Sequence, residues 1–227
     1  MIDGFTIPQV YVRKPMHDKP QAALVREFRL PSARVLALAG RDAVAFAQAQ
    51  FMNDVAALDD GQWQWNGWLT AKGRLVALFA LLRLDAQTLW LLLPDADPAT
   101  LAEALRRYVF RSKVALSIPD IPAAGRFDAA PAAAAGNRFA RLDDARIALD
   151  MGGACGTRTL LLGPCTATED AEALARWDAA DLVHGLPRLP PGQAGQWTPQ
   201  QLSLERLRAF SVSKGCYPGQ EIVARTH

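Results

Sequence analysis

Lys214-Gly215-Cys216-Tyr217-Pro218-Gly219-Gln220-Glu221-Ile222-Val223-Ala224-Arg225-Thr226-His227 closes a chain of 227 residues. Its first eight positions bring together a cation, a thiol, a phenol, two glycines and a carboxylate. Gly215 and Gly219 can take positive φ and Pro218 lacks a backbone donor, which predicts two tight turns around Cys216 and Tyr217. Turns of this kind expose a side chain instead of packing it. Lys214 favours the thiolate of Cys216 if the two side chains converge. The apolar Ile222-Val223-Ala224 that follows reads as a strand. The plainer alternative for Cys216 is a buried structural thiol in a hairpin, since free cysteine is often a core residue.

Moving back from this end, Thr198-Pro199 predicts a helix start, and QQLSLERLRAF places Leu202, Leu204, Leu207 and Phe210 on its apolar face. A Pro/Gly loop over 187–195 precedes it. Thr168-Glu169-Asp170 opens an earlier helix that carries Trp177 and stops near Gly185 and Pro187. Residues 138–142, 146–149 and 159–162 read as short strands. The Ala-rich AAPAAAAGN at 129–137 has no evident packing role and reads as a linker. It divides the chain into a first α+β half over 1–128 and a second over 138–227.

In the first half, RVLALA at 34–39 is an apolar strand. After the Gly40-Arg41-Asp42 turn, Val44, Ala47 and Phe51 recur at helical spacing. Trp63 and Trp65 alternate as on a strand, with Asn66-Gly67 a hairpin-turn signal. Thr70-Ala71-Lys72-Gly73-Arg74 turns into LVALFALLRL, long and apolar enough to be central, and TLWLLL at 88–93 pairs antiparallel with it. Asp97-Pro98 supplies a helix cap and first helical position. Leu101, Leu105 and Tyr108 share one face of that helix, and VALSI is a closing strand. Residues 1–30, broken by Pro8, Pro15 and Pro20, read as irregular chain over the surface. Two strand–helix–strand halves of similar order suggest a duplicated, ferredoxin-like α+β unit.

Composition narrows the function classes. Half the residues are hydrophobic and 21% charged, with a net charge of only +2. That balance gives no global electrostatic case for nucleic acid, although a local basic patch is compatible with it. The three cysteines, Cys155, Cys165 and Cys216, show no CxxC and no metal-finger spacing. They suit a reducing compartment and argue against a disulfide framework or a built-in metal site. The N-terminus lacks the apolar core of a signal peptide, and no run reaches the roughly 18 apolar residues of a spanning helix. The expectation is a cytoplasmic monomer that does not engage membranes.

KGCYPGQEIVAR resembles the KGCYxGQE signature of the YgfZ family, folate-binding relatives of the glycine-cleavage aminomethyltransferase. The likeness extends along the chain. GRDAVAFAQAQFMNDV is similar to the family's early helix, which ends in the pair Asn53-Asp54. TAKGRLVALFAL resembles its lysine–glycine turn and central strand, and RRYVFRSKVAL its helix exit. WDAADLVHGLPRL resembles a W-x7-G-hydrophobic-P element. WTPQQLSLERL is similar to a further segment, with Ser203 where Asn is usual. The resemblance implies the duplicated folate-binding unit, followed beyond His227 by a C-terminal barrel-like domain that this sequence does not contain.

The same resemblance implies the candidate site. Tetrahydrofolate or a derivative is the expected cofactor, with Trp177, Asn53, Asp54, Tyr108 and Tyr217 as folate-binding residues. A flat pterin stacks on an indole, although a core Trp on an amphipathic helix is the plainer reading of Trp177. The second Trp of the family, expected before the first strand's Gly, is missing from PSARVLALAG. Cys216 and Lys214 are the reactive pair, and Gly215, Gly219, Gln220, Glu221 and Arg225 complete the signature loop. The implied function is a folate-dependent accessory factor for iron–sulfur cluster assembly or repair, whose partners are iron–sulfur client or assembly proteins. The alternative, an aminomethyltransferase, is weakened because Gly73-Arg74-Leu75-Val76-Ala77-Leu78 lacks the parent family's carboxylate. A third reading, a tRNA-modification accessory protein, draws on Arg106, Arg107, Arg111, Lys113, Arg206 and Arg208 as a weak RNA-binding patch. The plainer account of those residues is a solvated helix face.

Overall fold

The computed structural model describes residues 26–143 and 145–226. Most of the N-terminal segment expected to be irregular lies outside that range, as does His227. The elements run β1 (Phe28–Arg29), β2 (Arg34–Ala39), α1 (Ala43–Gln50), β3 (Gln62–Leu69), β4 (Leu75–Asp85), β5 (Thr88–Leu93), α2 (Pro98–Arg106), β6 (Ala115–Ser117) and β7 (Ala123–Arg126). They continue through β8 (Phe139–Arg141), β9 (Ile147–Asp150), β10 (Thr159–Leu162), α3 (Ala171–His184) and α4 (Gln220–Arg225).

Two antiparallel five-stranded sheets form, one in the order β3-β4-β5-β2-β6 and the other β1-β7-β10-β9-β8. Alternation along the strands explains how they stack. In β4, Leu78, Ala80 and Leu82 face the second sheet, where Ile147, Leu149, Leu160 and Leu162 meet them in a shared core. The intervening Ala77, Phe79 and Leu81 face α1 and α2. With both faces buried, β4 reads as a continuous apolar run, as the sequence suggested.

The helix caps follow the sequence closely. Asp97 accepts from Thr100 N at 2.8 Å at the start of α2, with Pro98 in the first turn. Asp170 accepts from Ala173 N at 3.0 Å at the start of α3, and Gly185 ends that helix at φ 86°.

Five expectations change. Asn66-Gly67 is not a turn but lies inside β3, where Asn66 Oδ1 accepts from Asn53 N and Gly67 N and ties the strand to the segment after α1. The anticipated helix after Pro199 is only a 3-10 turn, Leu204–Leu207, bounded by left-handed Ser203 and Arg208 at φ 52° and 50°. Ile222-Val223-Ala224 belongs to helix α4 and not to a strand. The described chain offers it no neighbouring strand to pair with, whereas a helix satisfies its own backbone and buries Val223 completely. Residues 129–137 are no idle linker: Ala134 is fully buried beside Ala124, Ala140, Ala148 and Leu161.

The two halves also interleave instead of dividing at 129–137. β1 and β7, which precede that segment, pair in the second sheet. Read from β8, the second sheet runs β8-β9-β10-β7-β1 and repeats the order β3-β4-β5-β2 of the first over four strands, with α3 following β10 as α2 follows β5. The two sheets of this mixed α/β fold differ in their fifth strand, β1 against β6, and in the 3-10 turn Ala132–Ala134 that stands where the first has α1.

Candidate functional site

The signature loop forms the two turns expected of it, with Gly215 at φ 99° and Gly219 at φ 81°. A Cβ on Gly219 would lie 2.6 Å from Gly73 Cα and Thr70 O, and one on Gly73 would lie 2.7 Å from Ile222 Cβ. The lysine–glycine turn and the signature loop are therefore pressed backbone to backbone, which only paired glycines permit. This contact, together with Gln200 Nε2 donating to Val223 O at 2.8 Å, seats α4 against the first sheet's β3–β4 turn.

Lys214 does not turn to Cys216. Its ammonium donates to Gln48 O at the end of α1 and lies 5.0 Å from the Tyr217 ring centroid. Burial brings its pKa down to about 8 against the pull of Asp54. Gln48 ties the assembly together: its Nε2 donates to Asp54 Oδ1 at 3.1 Å, and its Oε1 accepts from Val55 N at 2.7 Å. Tyr217 is buried, donates through Oη to Ser211 O at 3.0 Å, and has its phenol pushed up to about 12 by that burial. Lys214 and Tyr217 thus anchor the loop, and they leave Cys216 exposed at its crest. Glu221 and Arg225 sit on the exposed face of α4, one turn apart, with 3.9 Å between Nη2 and Oε2.

Beside this loop opens a cleft of about 750 Å³ between the two halves. Asn53, Asp54, Trp63, Trp65, Arg206 and Arg208 are among its lining residues. Asn53 is the clamp: its Nδ2 donates to Trp65 O at 2.9 Å and to Arg208 O at 2.7 Å, while its Oδ1 accepts from Asp54 N at 2.9 Å. The rings of Trp63 and Trp65 meet edge to face with centroids 5.8 Å apart. Trp63 Nε1 and Gln64 Nε2 are buried donors without a partner among the described residues. At the mouth, Arg206 and Arg208 are exposed and make no ion pair within the described chain. The volume falls within the roughly 300–1,000 Å³ of small-molecule sites. Flat aromatic walls and cations at the rim fit a planar ligand with an anionic tail.

Trp177 lies elsewhere. It lines a separate cavity of about 260 Å³ under α3, together with Trp65, Leu92, Met151, Asp181 and Arg188. Trp65 is the one ring that borders both spaces. Trp177 is buried, meets Phe28 edge-on at 5.8 Å, and carries the Arg158 guanidinium 4.6 Å from its ring centroid. Arg158 also donates to Asp181 Oδ1 at 2.8 Å in an ion pair whose side chains are 3% and 5% exposed. Burial raises the Asp181 pKa, opposed by Arg158. Tyr108 is half exposed, touches Trp68 edge-on at 5.9 Å, and lines neither space.

The structure therefore brings Asn53 and Asp54 together with the signature loop through Gln48 and Lys214, and holds Trp177 and Tyr108 apart. Trp63 and Trp65 enter the site without having been singled out. Their alternation beside Gln64, which marks a strand, was also the signal that two indoles share one face. Nothing in the local pattern marks Arg158 or Gln48.

The chain is similar to proteins of known sequence. It is 30% identical over 202 residues to an uncharacterized protein of Haemophilus influenzae, covering 86% of this chain and 66% of that one. It is 27% identical over 208 residues to the tRNA-modifying protein YgfZ of Vibrio vulnificus, with 86% and 64% covered. The tRNA-modifying protein YgfZ of Klebsiella pneumoniae is 30% identical over 207 residues, with 83% and 63% covered. The chain thus spans just under two thirds of the length of these curated relatives. No protein-family model matches it. Its fold is similar to that of the glycine cleavage system aminomethyltransferase T from Bartonella henselae, at a TM-score of 0.65 over 89% of this chain and 63% of that one. At 16% identity that likeness concerns the fold alone. Among the described residues no helix is long and apolar enough to cross a membrane.

Proposed function

The chain belongs to the YgfZ family, and on that premise we propose that it binds tetrahydrofolate and acts as an accessory factor in the assembly or repair of iron–sulfur proteins. The observation that carries this reading is the cleft. Trp63 and Trp65 supply stacking faces for the pterin or p-aminobenzoyl ring, worth roughly 0.5–1.5 kcal/mol beyond the buried area. Arg206 and Arg208 offer the glutamate carboxylates charge-assisted bonds at the rim. Asn53 and Asp54 fix the floor. Trp177 takes part through the cavity on the far side of Trp65. A bound folate brings one-carbon chemistry to the cleft; the chain's own residues bind it, orient it and exclude water.

Cys216 is in this reading the thiol offered to a partner, held in reach by the anchors Lys214 and Tyr217 and not activated by Lys214. Its exposure leaves the sulfur open to such a partner. Iron–sulfur enzymes that act on tRNA are natural clients, which accommodates the tRNA-modifying name of the relatives.

Calorimetric titration with tetrahydrofolate tests the proposal. Wild type is expected to bind saturably at one site, and Trp63→Leu to weaken binding by about tenfold through the lost stacking. Equal affinity of the two chains at unchanged stability would remove the cleft as the site. Cys216→Ser is expected to bind folate as wild type does while failing to restore iron–sulfur enzyme activity to a deletion strain.

A further inference from the structure

Beyond α2 the chain runs Arg106-Arg107-Tyr108-Val109-Phe110-Arg111-Ser112-Lys113, and no Asp or Glu occurs between residues 104 and 119. Within it Phe110 is 86% exposed and Tyr108 50%, and Arg106, Arg107, Arg111 and Lys113 are all exposed. An almost bare phenylalanine is unfavourable in water, and this one is not the tip of a loose loop. Val109 between the two rings packs into the core under α1 and α2. The backbone is pinned at both ends: Tyr108 N donates to Leu105 O at 2.9 Å, and Lys113 N donates to Asp42 Oδ2 at 2.7 Å. Tyr108 rests its ring against Trp68, whose buried Nε1 has no partner among the described residues. Arg111 hovers 5.8 Å from the centroid of Phe110. The cleft is a separate feature, lined by Arg206 and Arg208 and by none of these residues.

We propose that this segment is a docking surface for single-stranded nucleic acid, whose bases stack on Phe110 and Tyr108 while Arg106, Arg107, Arg111 and Lys113 meet the phosphates. Two fixed aromatic faces interleaved with four cations match the alternation of base and phosphate along an unpaired strand. The charge complement argues against an apolar peptide, and the exposed rings argue against a surface built only for an acidic protein. The nearest acidic side chains in sequence, Glu103 and Asp120, lie outside the segment, and Asp42 is occupied by the Lys113 backbone and Arg41. The inference is independent of folate binding.

Fluorescence anisotropy with a labelled unstructured RNA 12-mer, its DNA counterpart and a duplex of the same length is the test, read across salt concentrations. Binding to the single strands is expected, weakening steeply as salt rises. Phe110→Ser is expected to lower affinity about five- to 50-fold at unchanged salt slope, since it removes stacking and no charge. Arg107→Gln with Arg111→Gln is expected to lower both affinity and slope. Circular dichroism and tetrahydrofolate titration should read as wild type for every variant, which separates this surface from the cleft. The proposal is overturned if the single strands do not bind, if the duplex or a poly-glutamate of equal charge binds as well, or if Phe110→Ser binds like wild type.

Discussion

Replacing Asn53 by Asp would change one atom pair and reverse the logic of the cleft. The Asn53 amide nitrogen donates to the carbonyls of Trp65 and Arg208, at 2.9 and 2.7 Å, and so joins β3 to the chain segment that carries the arginines at the rim. In Asn53→Asp at neutral pH both carbonyls lose their donor and face an anion. Each net hydrogen bond is worth about 1 kcal/mol, and a buried acceptor left unsatisfied costs about 1–3 kcal/mol. The expected destabilisation is therefore about 2–4 kcal/mol, with Asn53 only 8% exposed and little water able to compensate. Urea unfolding followed by tryptophan fluorescence would show it as a midpoint lowered by roughly 1 M at unchanged slope. Asn53→Ala, which also abandons the Asp54 amide, is expected to be no worse than Asn53→Asp, because it introduces no repulsion. Lowering the pH should narrow the deficit of the Asp variant alone, since a protonated carboxyl can donate once more. A midpoint for Asn53→Asp within 0.2 M of wild type, on the order of 0.5 kcal/mol, would refute the clamp and with it the reasoning that Asn53 positions Arg208.

Two further outcomes follow from buried charge. Arg158→Met leaves Asp181 buried and unpaired and should destabilise by about 3–5 kcal/mol, whereas Arg158→Met with Asp181→Leu should recover most of that loss; a single variant as stable as wild type would contradict the ion pair beneath Trp177. Lys214, lowered to about 8 by burial, should acylate half-maximally near pH 8, where an ordinary lysine is almost wholly protonated, as read by peptide mass spectrometry across pH. Because its folded pKa lies below the unfolded value, the unfolded chain holds the extra proton between about 8 and 10.5, and this group's contribution to stability should rise with pH through that window. Labelling of Lys214 only above pH 10 would place the ammonium in water instead of against Gln48.

Much of the fold was legible wherever a local rule decides the outcome. The strands at 34–39, 88–93 and 159–162 and the caps Asp97, Asp170 and Gly185 depend on alternation, a side-chain oxygen or a positive φ, all of which a sequence displays. The turns at Gly215 and Gly219 belong to the same class. Errors gathered where a distant partner outvotes the local signal. Asn66-Gly67 has every mark of a turn but lies inside β3, where Asn66 Oδ1 accepts from Asn53 N. Ile222-Val223-Ala224 has strand propensity and becomes helical because Gly73 and Gln200 meet it as a helix.

The candidate site divides along the same line. The sequence by itself determined the glycines that allow the signature loop to turn and the absence of a carboxylate on the stretch from Gly73 to Leu78, because these are properties of residue type and backbone freedom. It left Cys216 open between an exposed and a buried thiol, and the structure exposes it. Only the tertiary structure decided that Lys214 reaches Gln48 and not Cys216, that Trp63 and Trp65 wall the cleft while Trp177 stands behind it, and that Arg206 and Arg208 stand at its rim. Those facts depend on how two sheets and a returning chain end pack together. Packing is settled by the summed burial of many side chains far apart in sequence, which no local pattern records.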